Sequence, residues 1–222
     1  MQNHLKNLEN CALFEGIAAT DLPAMLGCLG ARTVEYQQDE VILHEGDPAV
    51  RMGIVLSGSA RIVQNDFYGN RSIIATVRPA QLFGESFACA NVRALPVSVI
   101  CAEKSEIMFL DCHRVTMTCS NACAFHSHMI LNLLRVVSGK NILLNQKIEI
   151  ISRRTTREKL LAYLAVQAQQ NHSREFTIPF DRQGLADYLC VERSALSAEI
   201  SRLRKDGLLE TDRSFFRLCK TR

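Results

Sequence analysis

Between residues 122 and 151 the chain has no proline and a single glycine. His126, Ile130, Leu133, Val137, Lys140, Leu144, Lys147 and Ile151 recur there at alternating spacings of four and three. Most are apolar, and a 3.5-residue period belongs to an α-helix that pairs along a narrow seam. A helix of that length runs about 45 Å at 1.5 Å per residue, more than one small domain covers. A homodimer pairing two copies of the helix is the economical solution. The competing solution is a single helix packed on its own domain. Asn121 stands where an N-cap belongs, because its side chain can accept from the first unpaired amides.

The sequences on either side of this helix differ in charge. Residues 1–152 carry 12 Lys/Arg against 14 Asp/Glu, and residues 153–222 carry 14 against 9. The net charge of +3 therefore hides a basic last third, which favours a polyanionic partner there. The segment before the helix is β-rich. "EVILHEGDPAVRMGIVLSGSARIVQNDFYGNRSIIATVRPAQLFGES" breaks short Val/Ile runs with Gly, Pro, Asp and Asn at intervals near ten residues, the pattern of a small antiparallel sandwich or barrel. Gly46-Asp47-Pro48 and Ser57-Gly58 are turn chemistry, and Tyr68-Gly69-Asn70 suits a hairpin tip. Cys11 to Gly30 reads as short helices.

After the long helix, Ser152–Arg154 is a hinge. Thr155 and Glu158 then form an S/T-x-x-E capping box for a new helix. In "FDRQGLADYLCVERSALSAEISRLRKDGLLE", Leu185, Ala186 and Leu189 mark one amphipathic helix, and Leu196, Ile200 and Leu203 mark a second. "CVE" between them is a short turn, and Gly207 is a natural helix stop. Two short helices across a tight turn make a helix-turn-helix. The second begins at Glu192, Arg193 and Ser194, and its solvent side adds Ser197, Ala198, Ser201 and Arg202. Short donors and arginines suit base edges in a major groove. "LLETDRSFFRLC" reads as strand, turn, strand, a wing. A helical hairpin for protein contact would share the Leu stripe, but would need neither the basic balance nor the hydroxyl-rich face.

Other classes find less support. The composition, 47% hydrophobic and 22% charged, suits a two-domain globular chain. No window holds the run of about 18 apolar residues that a membrane span requires, and the polar start lacks a secretory pattern. Nine cysteines without regular spacing fit reduced thiols and a cytoplasmic location. Cys89, Cys101, Cys112, Cys190 and Cys219 read as packing thiols without a local partner. His44, His113 and His172 read as solvated. There is no nucleophile elbow, H-E-x-x-H or P-loop, and Glu85 is a lone carboxylate, so an enzyme is not expected.

Three segments in order, "EGDPAVRMGIVLSGSARIV", "FGES" and "LADYLCVERSALSAEISRLRKDGLL", resemble the cyclic-AMP receptor protein / fumarate–nitrate regulator (CRP/FNR) family of bacterial transcription regulators. The resemblance covers nearly the whole chain. It implies an α+β architecture: an N-terminal cyclic-nucleotide-binding-like β-roll (a jelly-roll) over residues 1–118, a dimerisation helix over 119–152, and a C-terminal winged helix-turn-helix over 153–222. It also implies a homodimer on a two-fold symmetric double-stranded DNA operator, contact with RNA polymerase, and a small-molecule effector. Carried over position by position, Arg193, Ser194 and Ser197 read bases, with Glu192 before them at the helix entrance. The family often has an arginine where Ala198 stands. The corresponding effector residues are Gly84, Glu85, Ser86, Leu95 and Pro96. Cyclic-nucleotide binders of the family place an arginine ten residues after the glutamate, where it grips the phosphate. Leu95 occupies that place and Arg93 lies two residues short. A cyclic nucleotide is therefore not the expected effector, because its anionic phosphate would be poorly compensated. Iron–sulfur members cluster three cysteines near the N-terminus, whereas this chain has only Cys11 and Cys28 there.

One stretch remains, "CSNACAFHSH", from Cys119 to His128. Cys119 and Cys123 are four apart, and Cys123 and His126, three apart, can share a helix face. The set is compatible with metal, haem or redox sensing at the start of the long helix. It equally reads as two packing thiols and a seam histidine. Two further alternatives are a nucleotide-binding module acting on protein partners and a thiol enzyme using Cys119 or Cys123 with His126 as base.

Overall fold

The computed structural model describes residues 7–65, 71–117 and 124–219. A 3-10 turn at Ala12–Phe14 and helix α1 (Leu22–Cys28) precede the first strand. The strands β1 (Arg32–Tyr36), β2 (Val41–Leu43), β3 (Arg51–Ser57), β4 (Ala60–Asn65), β5 (Arg71–Val77) and β6 (Leu82–Phe83) follow. Helix α2 (Glu85–Cys89) leads to β7 (Ser98–Cys101) and β8 (Ser105–Asp111). They form two antiparallel four-stranded sheets, ordered β1-β8-β3-β6 and β2-β7-β4-β5. Ile42, Val55, Val77, Phe83, Val99 and Ile107, drawn from both sheets, share one core, so the β-rich segment is the expected roll. The hairpin tip expected at Tyr68–Asn70 lies outside the described residues.

Strand β3 is buried from Met52 to Leu56 because both of its faces are covered. Val55 looks into the roll, while Met52, Ile54 and Leu56 join Leu13, Phe14, Leu22 and Met25 on the outer side. Gly53 is required by close approach, since a Cβ there would clash with the Cζ edge of the Phe83 ring. The short helix α3 (Cys112–Thr116) is N-capped by Asp111, which accepts from the amides of His113 and Arg114.

The uninterrupted segment forms helix α4 (Ala124–Ile151). Packing divides the chain into two units, Met1–Gly139 and Lys140–Arg222, and α4 contributes residues to each. In the first unit, Met129, Leu133 and Val137 pack on the unit's own core and His126 is buried. Asn132, 1% exposed, donates to the carbonyls of Leu13 and Glu15 at 3.1 and 2.8 Å. The expected seam is therefore partly consumed at home: His126, Leu133 and Val137 serve the roll, and Leu131 and Leu134 are the apolar residues left exposed. In the second unit's part of the helix, Ile142, Leu143, Leu144 and Ile148 are exposed, while Lys147 lies over the Tyr188 ring at 5.0 Å. The period reveals an apolar stripe but not what covers it. Asn121, the expected N-cap, lies outside the described residues. Among the described residues no helix is long and apolar enough to cross a membrane.

The second unit continues with α5 (Thr156–Gln170), β9 (Glu175–Thr177), α6 (Arg182–Leu189), α7 (Arg193–Lys205), β10 (Leu209–Asp212) and β11 (Phe215–Leu218). The capping box forms as expected: the Thr155 hydroxyl accepts from the Glu158 amide, and Glu158 accepts from the Thr155 amide, both at 3.1 Å. Leu160, Leu164, Leu185, Leu189, Leu196, Leu203 and Phe216 share the core. Each such side chain contributes roughly 1.5–3 kcal/mol by leaving water. The wing hairpin β10–β11 pairs with β9 into a three-stranded sheet.

Candidate nucleic-acid interface

Helix α7 has two chemically distinct sides. Leu196, Ile200 and Leu203 are buried against α5, α6 and the wing. Arg193, Ser194, Ser197, Ala198, Ser201 and Arg202 are exposed, as the sequence pattern requires. The Ser201 hydroxyl donates to the Ser197 carbonyl at 3.0 Å, which leaves the hydroxyl oxygen able to accept from outside. Glu192 is the N-cap residue, but its side chain caps no amide. The first-turn N–H groups of α7 are thus not satisfied by it and point away from the helix, the arrangement that attracts a phosphate.

The turn before α7 is locally determined. Asp181 caps α6, its carboxylate accepting from the Gly184 amide at 2.7 Å. Cys190 ends α6 in the left-handed region, at φ 52°. The Lys159 ammonium donates to the carbonyls of Leu189 and Cys190 at 3.3 and 3.4 Å, where the negative end of the α6 dipole lies.

A charged network that the sequence did not disclose holds α7 to α5. Arg157 donates to Glu199 at 3.2 Å and to Asp206 at 3.1 Å. Glu199, 8% exposed, also receives Arg202 at 3.4 Å. Arg202 is therefore divided between an ion pair and solvent, whereas Arg193 makes no such pair among the described residues. Nothing in the local pattern marks Arg157 and Glu199, which are 42 positions apart. In the wing, Arg217 bridges Glu175 on β9 and Glu210 on β10 at 2.9 and 2.8 Å, and Glu175, then Glu210, hold its guanidinium above the usual range. Arg182 lies over the Phe216 ring at 5.1 Å and donates to Thr211. Burial, and secondarily Arg204, depress its pKa.

In the roll, Gly84 precedes α2 at φ 74°, a conformation that favours glycine. Glu85 is 2% exposed and accepts from the Ser86 hydroxyl at 3.1 Å. Leu95 is buried, and its amide and carbonyl bond to Asp47 and Gly46, both at 2.9 Å. Pro96 and Arg93 are exposed. The structure thus ties Leu95 to the Gly46–Asp47 turn by its backbone and gives its side chain to the interior. A recess of about 160 Å³ elsewhere in this unit is lined by Gly30, Arg32, Arg51, Phe109, Asp111 and Arg114. Strand register assembles it, setting Arg32 against Phe109 and Arg51 against Asp111. It includes none of the cassette residues.

Of the sulfur–imidazole group, Cys119 and Cys123 lie outside the described residues. His126 is 2% exposed, its ring centroid 6.1 Å from that of Phe125, and its Nδ1 has no hydrogen-bond partner among the described residues.

Comparison with known proteins matches residues 33–121 to the cyclic nucleotide-binding domain family and residues 158–221 to the Crp-like helix-turn-helix domain family. The transcriptional activator protein FnrL of Cereibacter sphaeroides is 22% identical over 186 residues, covering 78% of this chain and 71% of that protein. Among solved structures, the c-di-GMP responsive global regulator CLP of Xanthomonas campestris aligns over 92% of this chain and all of its own (100%), at a TM-score of 0.56 and 17% identity. DNR from Pseudomonas aeruginosa aligns over 99% of this chain and 95% of its own, at a TM-score of 0.52 and 18% identity.

Proposed function

We propose, for a chain that belongs to the CRP/FNR family of DNA-binding transcription regulators, that it acts as a homodimer reading a two-fold symmetric operator with α7. Residues 1–118 form the sensor domain, 119–152 the dimerisation helix and 153–222 the DNA-binding domain. Arg193, Ser194 and Ser197 contact bases, Arg202 the backbone, and Glu192 sets the start of the reading helix. The observation that supports this reading is the exposed face of α7, polar and basic opposite a fully buried leucine stripe. Exposed Leu131 and Leu134, and separately Ile142, Leu144 and Ile148, favour pairing of α4 with a second copy. RNA polymerase is the further partner if the protein activates transcription from its operator.

The test is operator selection from random duplexes, followed by affinity measured over a salt series. Affinity should fall steeply as salt rises, with a log–log slope of about −0.9 per phosphate neutralised. Absent or salt-independent binding would overturn the reading.

The effector is a small molecule other than a cyclic nucleotide, acting in the roll near Gly84, Glu85, Ser86, Leu95 and Pro96 or at its junction with α4. Buried Leu95, in the place of a phosphate-gripping arginine, supports this. Calorimetry with cyclic AMP and cyclic GMP tests it, and micromolar binding of either would refute it.

A second reading rests on His126. A buried imidazole whose Nδ1 lacks a partner among the described residues suits a ligand of haem or metal, with Cys119 and Cys123 nearby in sequence. Native mass spectrometry and metal analysis of anaerobically purified protein should then show a retained group, lost in His126→Leu.

A further inference from the structure

Two thiols that read as isolated packing groups in the sequence touch each other. Cys89 is the last residue of α2 and Cys112 the first of α3, and these helices pack together. The two Sγ atoms are 3.5 Å apart, across 23 positions of sequence. A disulfide bond is about 2.05 Å long, so an approach of roughly 1.5 Å would join them. Both residues sit at helix ends, where side chains and backbone yield more readily than in mid-helix.

The pair is asymmetric. Cys89 is exposed, whereas Cys112 is 5% exposed. Burial pushes the Cys112 thiol up to about 12, with its hydrogen bond to Cys89 and the nearby Asp111 acting in the same direction. A buried thiol held protonated does not meet an oxidant first; an exposed one does.

We propose that Cys89 and Cys112 form a reversible dithiol–disulfide pair, in which a hydroperoxide oxidises Cys89 and Cys112 resolves the product. In the first step the Cys89 thiolate attacks the hydroperoxide. The S–O bond forms as the O–O bond breaks, and the departing oxygen leaves as an alcohol, or as water from hydrogen peroxide, after taking a proton. In the second step Cys112 Sγ attacks the Cys89 sulfenic sulfur. The S–S bond forms, the S–O bond breaks, and water leaves with the Cys112 proton. The balance is two thiols and one hydroperoxide giving one disulfide, one alcohol and one water. A reducing dithiol reverses it by exchange.

The bond would tie the helix that carries Glu85 and Ser86 to the short helix that follows β8. It is a modification site separate from DNA contact, so its test does not require DNA binding. Full-length protein is treated with stoichiometric hydrogen peroxide, alkylated, digested without reductant and analysed by mass spectrometry. The expected product is a Cys89–Cys112 cross-linked peptide, lighter by two hydrogens than its two thiol peptides together and abolished by dithiothreitol. In Cys112→Ser, Cys89 should stop at the sulfenic acid and be trapped by dimedone. In Cys89→Ser, Cys112 should remain a thiol. The proposal is overturned if wild-type Cys89 links to a different cysteine, or passes to sulfinic acid while Cys112 stays reduced. The wild-type digest alone decides these outcomes if a variant does not fold.

Discussion

Replacing Arg157 by Ala removes the group that fastens α7 to α5. Its two arms differ in weight. Arg157 and Asp206 have side chains 40% and 49% exposed, so solvent screens that pair to about 0–1 kcal/mol. The Glu199 side chain is only 10% exposed, and a hydrogen bond to a charged group in such a place contributes about 1.5–3 kcal/mol. After the substitution Glu199 keeps Arg202 alone, at 3.4 Å and with a side chain 73% exposed. The loss therefore sums to roughly 1.5–4 kcal/mol for anchoring of α7, a rise of about 10- to 1000-fold in local opening. Amide hydrogen exchange of peptides spanning Leu196–Leu203 reads this directly, and operator affinity should fall with it. Arg157→Ala/Glu199→Leu removes the stranded carboxylate as well and should recover at least half of the loss. Exchange in Arg157→Ala within about threefold of wild type, or a double variant no better than the single, would refute the reasoning.

Gly53→Ala should cost about 1–3 kcal/mol through overpacking against Phe83, a fall of several degrees in the melting temperature of the roll; an unchanged melting temperature would contradict the packing. Glu158, hydrogen-bonded by the Thr155 amide and then its hydroxyl, is held below the usual carboxylate range. Its contribution is therefore present above the unfolded value of about 4.3 and lost as pH falls through the lower folded value. The stability gap between wild type and Glu158→Gln should close below about pH 4, and a gap that widens with acid would show the sign to be wrong. Cys11 is 1% exposed and burial pushes its thiol up to about 11. At pH 8, iodoacetamide should alkylate exposed Cys28 at least roughly 100-fold faster than Cys11, and peptide mass spectrometry showing similar rates would disprove this. Arg193→Ala should weaken operator binding by about 1–3 kcal/mol and relax base preference, whereas Arg202→Ala should weaken all duplexes evenly and lower the salt slope by about 1. The reverse pattern would exchange their roles.

Features written in neighbouring residues are legible in the sequence itself. The Thr155–Glu158 capping box, the leucine stripes of α6 and α7, the stop at Gly207 and the wing hairpin all rest on spacings of two to four residues, which local geometry converts directly into a face or a turn. Leu95 could be recognised as a departure from an arginine, but its backbone bonds to Gly46 and Asp47 could not. The same sequence was silent wherever partners are distant in the chain. Its stripe along α4 named His126, Leu133 and Val137 as seam residues, yet only tertiary packing assigned them to their own unit and left Leu131 and Leu134 exposed. Cys89 and Cys112 read as separate packing thiols until α2 met α3 and brought their sulfurs to 3.5 Å. Arg157 and Glu199 likewise became a pair only when α5 crossed α7. Sequence determined the elements, because hydrophobic period and capping act over a single turn. Tertiary structure decided which faces and charges meet, because those contacts depend on how the whole chain closes on itself.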